Sequence, residues 1–116
     1  MIDLTEYASV IEKLLARTRE GKVAWQEITY GFGTRVKAYE FRVSKAEDQG
    51  DVTISLRMFD DNGSEIFSVS LTDDPATLAK QRHMVSVLKD LHELARRNAL
   101  KVEQKIDDAS NLLDEM

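Results

Sequence analysis

Residues 51–71 read DVTISLRMFDDNGSEIFSVSL. Val52, Ile54, Leu56 and Met58 alternate with Thr53, Ser55 and Arg57, and Phe67, Val69 and Leu71 alternate with Ser68 and Ser70. A period of two places one set of side chains on each face of a strand, so both runs are half-buried strands. Asn62-Gly63 lies between them, and both residues tolerate the positive φ of a type I′ turn. A turn centred there pairs Met58 with Phe67, Leu56 with Val69 and Ile54 with Leu71. A slip of one residue would set Phe67 and Val69 against Arg57 and Ser55, so pattern and turn agree on one register. The stretch predicts an antiparallel hairpin with one continuous apolar face.

Working outward, Tyr39, Phe41 and Val43 continue that face within a strand over 34–44. A polar loop at 45–50 then joins Val43 to Val52, Phe41 to Ile54 and Tyr39 to Leu56. The opposite face carries Glu40, Arg42, Thr53, Ser55, Arg57 and Ser68 and is expected to be wet. Val23 and Trp25 begin a further strand, and Gly31-Phe32-Gly33 is expected to form a bulged turn after it. That makes four antiparallel strands.

Helical periodicity flanks the sheet. Leu4, Tyr7, Val10, Ile11, Leu14 and Leu15 share one face of a helix over about 4–19. Asp3 and Glu6 have the spacing of a reciprocal cap, and Gly21 suits the left-handed residue beyond the helix end. Asp74-Pro75 is expected to open the next helix, with Pro75 in its first turn. Its stripe is Met84, Val87, Leu88, Leu91, Leu94 and Ala95. A second stripe of Val102, Ile106, Ala109, Leu113 and Met116, with Leu112 alongside, is out of phase with the first. A bend or short loop near 98–101 accounts for the phase change, so residues 76–115 form one long or two shorter helices on one sheet face. The expected fold is α+β in one domain over 1–116.

Composition narrows function. Apolar residues make up 42% and charged residues 32% of 116, a globular balance. The chain contains no cysteine, which excludes disulfides, thiolate metal sites and thiol nucleophiles and agrees with a reducing compartment. No basic segment followed by an apolar run opens the sequence, and no apolar run approaches a membrane span, so a cytoplasmic location without membrane contact is expected.

The residues form no catalytic, cofactor-binding or metal-ligating constellation. His83 and His92 are nine apart on one helix and cannot share a metal. Asp60-Asp61, Asp73-Asp74 and Asp107-Asp108 fall on a turn, a helix start and a solvated helix rather than in a calcium loop. Gly31-Phe32-Gly33 precedes a strand, whereas a phosphate cradle precedes a helix. Trp25, Tyr30, Phe32 and Tyr39 are the residues that could wall a small-molecule or enzymatic pocket. Arg82, Lys89 and Arg96 repeat every seven residues and could track a phosphate backbone, but the net charge of −5 speaks against nucleic acid.

The stretch from Leu88 to Glu103, with Leu94-Ala95-Arg96-Arg97-x-Ala99-Leu100-x-Val102 at its centre, and the segment Gly21-Lys22-Val23-x-Trp25 resemble a group of small uncharacterised bacterial proteins. That group shares an N-terminal helix, a Gly-Lys-x-x-Trp lead-in to a sheet and a C-terminal helix pair. The resemblance implies this topology and a bacterial or phage origin, and it brings no activity.

What the residues point to is a non-enzymatic interaction or regulatory module that binds another protein or itself. Val102, Ile106, Ala109, Leu113 and Met116 alternate steps of four and three, the spacing of a helix seam. Glu103, Asp107, Asp108, Asp114 and Glu115 surround this seam, while the preceding helix carries excess positive charge. A two-fold homodimer is the expected use of such a segment.

Overall fold

The computed structural model describes residues 4–75, 77 and 79–116. Helix α1 (Leu4–Arg19) precedes strands β1 (Gln26–Ile28), β2 (Gly31–Val36), β3 (Tyr39–Asp48), β4 (Asp51–Phe59) and β5 (Glu65–Asp73). Helices α2 (Ala79–Ala99) and α3 (Val102–Asp114) follow. The strands form one antiparallel meander in the order β1-β2-β3-β4-β5. The architecture is α+β, as expected, with five strands instead of four and two C-terminal helices.

The extra strand arises where the sequence carries no turn residue. The run 34–44 is cut at Lys37-Ala38, a two-residue loop closed by Val36 opposite Tyr39, with Lys37 at φ +55°. Glycines 31 and 33 form no bulged turn. They lie inside β2, and the chain reverses at Thr29-Tyr30. Gly31 is required there, because a Cβ would run into the Val43 carbonyl oxygen of β3.

The β4–β5 register is the expected one: Met58 faces Phe67, Leu56 faces Val69 and Ile54 faces Leu71. The turn differs in form. Only Gly63 has positive φ (+81°), and the Asp60 carbonyl accepts the Gly63 N–H at 3.1 Å. The Asp60 side chain accepts the N–H groups of Asn62 and Ser64 at 2.9 Å each. This is a three-residue loop ending in a left-handed glycine, and the register shift it needs falls between Met58 and Phe59. The β3–β4 register is displaced by four residues from the expected one: Val43 faces Leu56 and Phe41 faces Met58. β3 runs on through the polar Lys45–Asp48, and Gln49-Gly50, at φ +53° and +89°, makes the tight turn. An even displacement preserves the faces, so the apolar side was read correctly from the wrong pairing.

Helices α1 and α2 lie side by side on that apolar face. Glu12 contacts His83 at 2.8 Å and Arg19 contacts Asp90 at 3.1 Å. The two pairs are seven residues apart on both helices, so α1 and α2 run parallel. Between helices and sheet, Ile11, Leu14, Leu15, Phe41, Val43, Leu56, Val69, Leu88 and Leu91 are buried in one core. Its polar members are satisfied. Thr18 Oγ1 donates to the Leu14 carbonyl at 2.8 Å and accepts the Trp25 Nε1–H at 3.2 Å. The Trp25 N–H donates to Asn98 Oδ1 at 2.7 Å, tying the lead-in to β1 to the last turn of α2.

The helix boundaries fare differently. The proposed N-terminal cap at Asp3 lies outside the described residues. Asp74-Pro75 belongs to a turn before α2: the Asp74 carbonyl accepts the Thr77 N–H at 3.1 Å, and Thr77 Oγ1 donates to the Thr72 carbonyl at 2.7 Å. Proline at the second place of a four-residue turn is pre-set by its fixed φ, which explains the residue without a helix start. The change of phase near 98–101 is a true break. Lys101 adopts φ +54°, ψ +48°, and α3 leaves in a new direction rather than packing on the sheet.

Candidate interaction surface

α3 is helical by composition and spacing, since only Val102 and Ile106 among its 13 residues are β-branched. Its direction is set by the left-handed Lys101 and by Arg97, whose guanidinium meets Glu103 at 2.7 Å. Leu94, Ala99, Leu100 and Val102 are partly buried at this junction. Beyond it no residue of α3 is buried, and its packing partner is α2. Ile106 is 56% exposed, Leu112 63%, Leu113 68% and Met116 96%. Ala109, on the same seam, is exposed as well. A 13-residue helix spans about 20 Å and is marginal alone.

Charge is sorted along this helix. Arg97, Lys101 and Lys105 stand around its N-terminal end with Glu103 among them, and Asp107, Asp108, Asp114 and Glu115 follow toward the C-terminus. The last turn contains no basic residue. Carboxylates there oppose the negative end of the helix dipole, a cost of about 0.3–1 kcal/mol each that a nearby cation would remove. Glu103 is held below the usual carboxylate range, first by the hydrogen bond from Arg97 and then by its own backbone N–H.

The basic triad on α2 is engaged within the chain. Lys89 pairs with Asp73 at 2.8 Å, Arg96 with Glu93 at 2.8 Å, and Arg82 Nε donates to the Thr77 carbonyl at 3.4 Å. The depression of about 630 Å³ beside Arg82 and Lys89 is also lined by Asp73, Asp74 and Asp90, so its charge is mixed. Glu93 is held low by its hydrogen bond from Arg96.

The histidines lie apart, as their spacing requires. His83 bonds Glu12 across α1 and α2. His92 meets the Phe32 ring edge-on, with centroids 5.4 Å apart, and burial followed by the nearby Lys45 pushes its imidazole below 6.5. The four aromatics do not converge on one cavity. Trp25 and Phe32 belong to the core, Tyr39 stands at the exposed end of β3, and Tyr30 borders a depression of about 440 Å³ on the wet sheet face.

Sequence reasoning missed a cluster on that wet face. Arg42 and Arg57 are directly opposite on β3 and β4, and both guanidiniums cover the Phe59 ring, at 4.6 and 5.0 Å. Glu40 and Glu65 neutralise them at 3.1 and 2.7 Å. The signal was present: Phe59 follows the inward-facing Met58 and, by alternation, had to face outward.

Among the described residues no helix is long and apolar enough to cross a membrane. No family model matches the chain, and neither a curated protein nor a solved structure shows significant similarity to it.

Proposed function

We propose that this protein is a non-enzymatic interaction module whose binding element is α3. The observation that carries the reading is the exposure of Ile106, Leu112, Leu113 and Met116 on a helix with no buried residue. A contiguous exposed apolar seam of this kind is a usual mark of a protein–protein contact. The helical sheet cover of α1 and α2 serves as the rigid base from which α3 projects. A chain without cysteine suits a reducing compartment, and the cytoplasm is the proposed location.

The double substitution Ile106→Asp/Leu113→Asp tests the reading. Neither side chain is buried, so dilute protein should melt within about 2 °C of the unmodified chain, as surface changes do. A photo-cross-linker at position 112 should trap protein partners of the unmodified chain in its native cell and trap none in the double variant. Loss of folding would make α3 part of the core. Trapping that survives the substitutions, or no trapping with either chain, would overturn the proposal.

A further inference from the structure

The geometry of the wet sheet face points to a second site, independent of α3: a depression that takes a small carboxylic acid with an apolar body, its carboxylate held by Arg42 and Arg57.

The space comes from β2. Phe32 and Thr34 are buried, so Gly31 and Gly33, which alternate with them, add no side chain to the wet face. Ile28 leans into the room left over Gly33, where a Cβ would stand 3.3 Å from its Cγ2. The depression of about 440 Å³ is lined by Ile28 and by the turn residues Thr29 and Tyr30, and by Glu40, Arg42, Ser44 and Arg57. That volume falls within the roughly 300–1,000 Å³ of small-molecule pockets. Tyr30 is 86% exposed, so its ring is free to cover a guest.

The arginines supply the head of the site. Like charges directly opposite on neighbouring strands are unfavourable, yet Arg42 faces Arg57. Both lie over the Phe59 ring, which holds their planes in place before any ligand arrives. Arg42 spends Nη2 on Glu40, and Arg57 spends Nε on Glu65. Among the described residues Nε and Nη1 of Arg42 and both terminal nitrogens of Arg57 have no hydrogen-bond partner. A guanidinium edge of this kind matches the two oxygens of a carboxylate. Charge sets the valence. Glu65 does not line the depression, so Arg42, Arg57 and Glu40 leave it one positive charge, which a monoanion balances.

Titration of the ¹⁵N-labelled full chain at constant ionic strength tests the site with sodium benzoate, sodium acetate and benzyl alcohol. Benzoate should give saturating shifts at the amides of Thr29, Tyr30 and Ser44 and at the Nε–H groups of Arg42 and Arg57. It should bind at least about fivefold more tightly than acetate, which lacks the body, or benzyl alcohol, which lacks the charge. Arg57→Gln should weaken benzoate by about fivefold or more. Tyr30→Ala should weaken benzoate and leave acetate unchanged. If Arg57→Gln loses its dispersed spectrum, Arg57→Lys, which keeps the charge and loses the fork, should show the same weakening. Shifts that stay linear or centre elsewhere, acetate or benzyl alcohol binding as tightly as benzoate, or a folded Arg57 variant that binds like the unmodified chain would each overturn the inference. Ile106→Asp/Leu113→Asp protein should bind benzoate normally, which keeps this test separate from that of α3.

Discussion

Asn98 is a small polar residue at the end of an amphipathic helix, and it decides how the first strand meets the last long helix. Its Oδ1 accepts the Trp25 N–H at 2.7 Å in a part-buried setting. Asn98→Ala should leave that donor unpaired and destabilise the fold by about 1–3 kcal/mol, measurable by urea denaturation. Asn98→Asp, which keeps the acceptor, should recover most of the loss. His92 makes a second residue-scale prediction. Burial holds its native imidazole below the unfolded value of 6.5, so the unfolded chain binds the extra proton. The stability tied to the neutral ring is complete above about pH 6.5 and is lost as pH falls below it. The melting temperature should therefore drop between pH 7 and pH 5, and His92→Phe should flatten that part of the profile. Parallel profiles for the two proteins would remove His92 as the cause. At this scale the sequence was opaque: Thr18, Asn98 and Lys37 look ordinary, because their roles depend on partners 7 or 73 residues away or on a left-handed φ that lysine seldom adopts.

Elements were more legible than their joints. The amphipathic stripes of α1 and α2 and the alternation in β4 and β5 follow from burial on one side, which leaves a period in the sequence. The candidate seam Val102–Met116 was legible from its helical period, yet beyond the partly buried Val102 the structure leaves it exposed. The β3–β4 register was not legible, since two even registers both match apolar with apolar and only the Gln49-Gly50 turn chooses between them. β5 adds a prediction at this scale. It pairs with β4 alone, so its other edge is open over nine residues without proline or lysine. Glu65 and Asp73 stand at its two ends. If two copies paired antiparallel about Val69, Glu65 would face Asp73 in both halves, and the two ion pairs they form with Arg57 and Lys89 would have to be desolvated or broken, which protects the edge. Glu65→Thr/Asp73→Thr should raise turbidity on incubation at 37 °C while leaving the native circular dichroism unchanged. Equal turbidity would mean that other features guard the strand.

At the scale of the whole molecule, local and distant contacts are sharply divided. Every strand pairs with its neighbour in sequence, and four short loops suffice to build the sheet. The helical cover is the opposite case, because α1 joins α2 across a separation of 71 residues at both Glu12–His83 and Arg19–Asp90. The parallel helix pair thus imposes an order on synthesis. At about 5–20 residues per second, the ribosome needs several seconds after finishing α1 to deliver the helix that closes over it. Through that interval Ile11, Leu14 and Leu15 have only a growing, uncovered sheet to rest on. A nascent chain released before α2 is complete would carry its hydrophobic surfaces into the cell without their lid.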